Sequence, residues 1–474
     1  MSDRPPFGFS GPDDPDDEGR PQGGGGPADP LGFLANLTGG GGGQFDMGQL
    51  GAALQQLGRM LQTGGEGPVN WEMAHDVARQ ELASQGDPVV GGADRRAAEE
   101  AVRLADLWLD QATSFPATGH DAAVWSRSQW LEATLPAWRR IVEPVAEHVQ
   151  TAMGSVLPSA GEGLPPGVPP EFAAMAGPLL GMARQMGSAM FGMQLGQGLA
   201  SLAGEVVGAA DIGIPLTADG RPVLLPRNVE AFGAGLGIPA DEVRLYLALR
   251  ETAHQRLFTH VPWLRSRLEA AVEAYARGIH VDTARIEEAV RDLDPSNPAA
   301  LQEVLGSGVF EPEDSPEQLA ALARLETLLA LVEGWVDQVV DAAVDGRLPS
   351  ADRLRETVRR RRAAGGPAEK TFATLVGLEL RPRRWREAAT VWAELLQARG
   401  VAGRDAVWEH PDLVPTADDL DDPTGYLRRS APLDLGELEG LPAVAEGEAD
   451  AAEPRGDDAA EPGGGEDPGT DPGR

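Results

Sequence analysis

The chain of 474 residues contains no cysteine. That excludes a disulfide framework, a thiolate nucleophile and any zinc or iron–sulfur centre held by sulfur. Lysine is almost missing too: Lys370 is the only one, and the other basic residues are arginine. Aromatic residues make up 5% of the chain, so leucine, alanine, valine and methionine have to fill most of any core. Histidine is scarce, and a metal site would have to draw on His75, His120, His148, His254, His260, His280 or His410 together with carboxylates. Basic charge is in deficit, leaving a formal net charge of −34. Such a charge favours solubility and works against nucleic acid or an anionic membrane as a partner. The N-terminus lacks a basic region followed by an apolar run, so no secretory signal is expected and the chain reads as cytoplasmic. Phosphate-binding glycine loops, dinucleotide fingerprints and nucleophile elbows are missing as well.

What is present is mostly helical periodicity. Residues 1–68 are Gly- and Pro-rich and read as disordered, with one amphipathic segment at 47–63. Apolar stripes such as Trp71, Ala74, Ala78 and Leu82 predict helices from 69 to 156, packed as a three-helix unit. A Pro/Gly linker follows at 157–170. The stretch from Phe172 to Ala210 is rich in Gly, Ala and Met. Its charged and amide residues argue against a membrane span, and its small residues suit a buried, tightly packed helix pair. Residues 211–229 carry the one β signal, Asp219-Gly220 between two β-prone runs, which predicts a hairpin or a pair of edge strands. Helices are then expected from about 240 to 258 and over 264–277, 282–292, 299–305, 316–344, 351–364 and 385–398. Asp282, Ser315 and Ser350 stand at N-cap positions. An acidic Gly/Pro-rich tail, 424–474, closes the chain and reads as disordered. The fold class is mainly α with a small β element.

One helix carries a chemical pattern. Arg250-Glu251-Thr252-Ala253-His254 matches the zinc-peptidase motif His-Glu-x-x-His at every defined position but the first. In that motif two imidazoles one turn apart grip a metal, and the Glu between them takes a proton from metal-bound water. Glu251 and His254 keep their spacing here. Arg250 stands where the first ligand belongs, and a guanidinium has no lone pair to give.

The segment LALRETAHQRLFTHVPWLRSRL closely resembles the corresponding part of an actinobacterial family of zincin-like metallopeptidases, often labelled hydrolases. The resemblance extends over VNWEMAHDVARQ, ARIEEAVRDLDPSNPAALQEVL, QLAALARLETLLALVEGWVDQVVDAA and the later blocks to about residue 423. It implies a zincin-like domain at 69–423, with a helical N-terminal part (69–156) and a motif-bearing part (171–423). It also implies a later helix that donates a third ligand in a Glu-x-x-x-Asp pattern. Glu333 matches that ligand and Asp337 the residue that would orient a ligand histidine, with Glu326 as an alternative for the third ligand.

Three arrangements remain open around Arg250. His260 or His280 could complete a zinc site. Metal could be replaced, with Arg250 paired to Glu251 or Glu333. Or metal could bind weakly. Our working expectation is the second: the guanidinium supplies the missing charge and ties two helices together through Glu333. Two functions follow. One is a hydrolase of peptide or amide bonds, with Glu251 as general base and zinc on His254 and Glu333. The other is a catalytically dead zincin scaffold that binds or regulates a peptide or protein. The arginine run at 353–362 reads as a solvated or carboxylate-paired helix face, or as a dock for the acidic tail, rather than as a nucleic-acid surface. Nothing in the sequence sets an oligomeric state.

Overall fold

The computed structural model describes residues 67–156, 170–278, 315–363 and 384–430. Residues 1–66, the linker from 157 to 169, the helices expected at 282–292 and 299–305, His280, Lys370 and the tail from 431 onward lie outside the described residues. The chain divides into two units, 1–429 and 430–474, and the elements below belong to the first.

The helices begin and end where the sequence chemistry asks. Asn70 caps α1 (Trp71–Ser84), its side chain accepting from Met73 N at 2.9 Å. Helix α2 (Gly92–Leu109) and α3 (Arg127–Val156) follow. The small-residue stretch forms one long helix, α4 (Pro170–Glu205), rather than a pair. Its small residues still set a close approach, but to α1: a Cβ on Gly192 would lie 2.4 Å from the Asn70 carbonyl oxygen, and one on Gly196 2.5 Å from that of Ala74. The N-terminal helices do not pack as a three-helix unit. α1 packs mainly on α4, α2 on the helix at Ala240–His260 (α6) and α3 on that at Pro262–Arg277 (α7), so the early and late parts of the chain interleave.

The β element is small, as expected, and of the two forms the sequence allowed, a hairpin or edge strands, the hairpin does not form. Strand β1 (Ala123–Val124) pairs in parallel with β2 (Val223–Leu224), in register Ala123↔Val223 and Val124↔Leu224. Asp219-Gly220 does make a turn, with Gly220 at φ 67°. The run before it cannot form a regular ladder, because Pro215 and Pro222 each remove a donor. β2 therefore pairs with a strand a hundred residues away. A short helix, α5 (Pro226–Gly233), separates it from the motif helix.

Two helices buried on every side form the centre: α6 (Ala240–His260) and α8 (Pro316–Val344). α6 lies under α2 and against α8. α8 is also covered by α7 (Pro262–Arg277) and α10 (Trp385–Asp405). Ser315 caps α8 as predicted, accepting from Gln318 N at 3.1 Å. Gly334 lets α10 close on α8, since a Cβ there would come 2.8 Å from Ala389 N. Trp335, Trp392 and Trp408 fill this side of the core. α9 (Ala351–Ala363) returns along α8, and two short helices, α11 (Ala417–Asp421) and α12 (Pro423–Arg429), finish the body. No helix among the described residues is long and apolar enough to cross a membrane.

Candidate functional site

The middle of α6 is polar and yet buried from Arg250 to Arg256. Buried polar groups need partners, and those of Arg250 stand on α8. Arg250 Nη2 donates to Glu333 Oε2 at 2.7 Å and Nη1 to Asp337 Oδ1 at 2.6 Å. Glu333 and Asp337 lie four residues apart on one helix face, so a single planar guanidinium spans both. His254, one turn on from Arg250, brings Nε2 to 3.0 Å from Glu333 Oε1, and its Nδ1 lies 2.8 Å from the Arg250 carbonyl oxygen. Both ring nitrogens thus face oxygen acceptors.

A second layer of arginine closes the cluster from α9. Arg362 Nη1 lies 2.8 Å from Glu333 Oε1, Arg359 Nη2 2.9 Å from Asp337 Oδ2, and Arg355 Nη1 2.6 Å from Asp341 Oδ2. Carboxylates at 333, 337 and 341 thereby meet arginines at 362, 359 and 355 in an antiparallel ladder. The Trp385 ring stacks under Arg250, Arg359 and Arg362, with guanidinium carbons 5.6 to 5.8 Å from its centre.

The electrostatics follow from this crowding. Burial alone would push the Glu333 carboxyl up. Arg362, with His254 and Arg250, overcomes that and holds it at about 2, against an ordinary 4.5. Burial likewise works against the Arg250 charge, and Asp337 and Glu333 reverse the effect, leaving its pKa above the usual arginine value. Because folding depresses the Glu333 pKa, the stabilisation is present above pH 4.5 and is lost as the pH falls toward 2. The difference is worth about 3 kcal/mol. Denaturant unfolding between pH 6 and pH 3 is expected to show more than half of that loss, and Arg362→Gln is expected to flatten it. An unchanged slope in the variant would count against Arg362 as the cause.

Glu251 faces the other way. Its Oε1 accepts from Ala209 N at 3.2 Å, Val223 N at 3.3 Å and Gln255 Nε2 at 2.9 Å, and its Oε2 accepts from Ala210 N at 3.1 Å. Burial pushes its carboxyl pKa up, and these donors together with His254 oppose that. The carboxylate is 3% exposed and joins α6 to β2 and to the segment after α4. The cradle needs a glycine at 208, where a Cβ would lie 2.3 Å from Glu251 Oε2.

Zinc is the metal that a His-Glu-x-x-His helix implies, and the donor set present does not fit it. Arg250 cannot ligate, and it fills the space between α6 and Glu333. The acceptor oxygens of Glu333 and Asp337 are taken by guanidinium and imidazole N–H groups. Three guanidiniums converge on two carboxylates, and a dication would add charge of the same sign. Among the described residues, no group of three or more histidine or acidic side chains is placed to hold a metal. Glu326 lies two turns before Glu333, roughly 10 Å along the helix. His260 Nε2 lies 2.9 Å from the Pro116 carbonyl oxygen, and its ring stacks on Phe115.

The family model described as zincin-like metallopeptidase matches residues 69–427. The chain belongs to that family. A crystal structure from Chloroflexus aurantiacus, described as "a putative hydrolase with a novel fold", superposes with a TM-score of 0.53 at 20% identity, covering 76% of this chain and 98% of that one. That likeness establishes the shared fold. No curated protein matches the chain. Within this zincin-like domain the residues singled out by sequence, Arg250, His254, Glu333 and Asp337, do come together. Arg250 pairs with Glu333, the partner of the working expectation, and with Asp337 as well. One contact differs: Asp337 holds arginines instead of orienting a histidine. Sequence reasoning missed Arg359, Arg362, Trp385 and the Glu251 cradle. The signal for the first two was available: acids at 333, 337 and 341 and arginines at 355, 359 and 362 repeat with matching helical spacing.

Proposed function

We propose that this chain is a non-hydrolytic zincin scaffold, in which the Arg250 guanidinium stands where a zincin holds its metal, and that it acts as a peptide- or protein-binding module. The observation that carries this reading is the buried bridge from Arg250 to Glu333 and Asp337. It supplies positive charge at the helix crossing and uses the oxygens a metal would need. The burial of Glu251 supports the same reading, because a general base has to reach water or substrate, and this carboxylate is spent on backbone N–H groups.

The alternative is a hydrolase of peptide or amide bonds. Family membership over 69–427 and the retained Glu251 and His254 favour it. Metal content separates the two. Chain purified without chelator is expected to hold far less than one zinc per molecule, and neither added zinc nor EDTA should move its Tm. A peptide library should stay uncut. Stoichiometric zinc, a Tm that falls on chelation and zinc-dependent cleavage lost in Glu251→Gln would establish the hydrolase instead.

A further inference from the structure

A cavity of about 760 Å³ lies between the loop before α2, the start of α3, α5 and the start of α6. Its volume falls in the range of small-molecule sites. Trp125, Val229, Ile238 and Val243 give it apolar walls. Arg127, Arg227 and Arg244 also line it.

These three arginines differ from those of the Arg250 cluster in having no carboxylate partner. Arg355, Arg359, Arg360, Arg361 and Arg362 each lie within 4 Å of a carboxylate, as do Arg250 and Arg256. Among the described residues, Arg127, Arg227 and Arg244 have no such ion pair, in a chain whose acids outnumber its bases by 34. Three acids share the lining. Asp87 is already engaged, accepting from the backbone N–H groups of Arg127 at 3.1 Å and Ser128 at 2.8 Å. Asp94 and Glu230 are exposed to solvent, as is Arg227, and Arg127 Nε donates to Asn228 Oδ1 at 2.9 Å, which leaves Arg227 and Arg244 to meet a ligand. Burial and the neighbouring Arg227 both weigh against the Arg127 charge, with Asp87 opposing them. An anion placed among the arginines would relieve that crowding.

We propose that this cavity binds a small amphipathic anion, a carboxylate or phosphate head on a short apolar body, with Arg227 and Arg244 gripping the head and Trp125, Val229 and Val243 enclosing the body. The proposal does not depend on whether the zincin centre holds metal.

Isothermal titration of the full chain tests it with octanoate, octyl phosphate, octan-1-ol and octylamine. Octanoate and octyl phosphate are expected to bind, the tighter of the two naming the head group, with the alcohol and amine far weaker. Arg227→Gln alone, and together with Arg244→Gln, should weaken the anions, the double variant by roughly tenfold or more. Both positions reach solvent and lack an ion-pair partner, so unfolding transitions like that of the wild type are expected. Arg386→Gln on α10 should bind as wild type. Failure of both anions to bind, octan-1-ol binding as tightly as octanoate, or a double variant that keeps full affinity would each overturn the proposal.

Discussion

Arg250→Ala is expected to destabilise the protein by about 3–5 kcal/mol, the usual cost of removing one partner from a buried ion pair. The two carboxylates facing it, Glu333 and Asp337, are 0% and 1% exposed, so the loss leaves charge that water cannot reach. Arg362 and Arg359 keep their own contacts with these groups and draw the value toward the lower end. Arg250→Lys keeps the charge but cannot span two carboxylates with a planar fork, and should recover only part of the loss. Chemical denaturation of the three proteins checks the order wild type, Lys, Ala. A zinc-dependent rescue of Arg250→Ala would show that metal can take over the charge. Full stability of Arg250→Ala without metal would remove the argument for a structural guanidinium.

Glu251→Ala is expected to be comparably harmful, at about 3–5 kcal/mol, because it strands the N–H groups of Ala209, Ala210 and Val223 in a dry interior. Glu251→Gln is the sharper test. It keeps one acceptor oxygen but turns an N–H₂ toward donors, which should cost about 1–3 kcal/mol. A residue serving only as a general base predicts the opposite pattern: activity lost and stability kept. Unfolding free energies measured beside peptide cleavage therefore distinguish the two roles, and a fully stable Glu251→Gln would return this carboxylate to catalysis.

Much of the fold was legible because buried helices write their periodicity and caps into the chain. Residues 316–344 and the Ser315 cap were read directly, and α6 was placed to within two residues at either end. The partner of the β element was not legible because strand pairing is non-local: nothing near Val223 announces Ala123. The small residues of α4 signalled close packing but not the surface they pack on, which proved to be α1. At the site, Arg250 and Glu333 were matched through the motif and its surroundings. For Arg359 and Arg362 the sequence left a solvated and a carboxylate-paired face open, and the partners on α8 appear only once α9 folds back along it.

By itself, then, the sequence determined a mainly helical zincin-like domain without thiol chemistry, with Arg250, which cannot bind metal, one turn before His254. Spacing along single helices, side-chain donor chemistry and the long blocks shared with the family were enough for that. The tertiary structure alone decided which groups Arg250 and Glu251 meet. One guanidinium bridges two acids of α8 under two further arginines, and one carboxylate is sealed by backbone amides from distant segments. Partners for buried charge are chosen by helix crossing and loop placement, and those come from packing the whole chain at once.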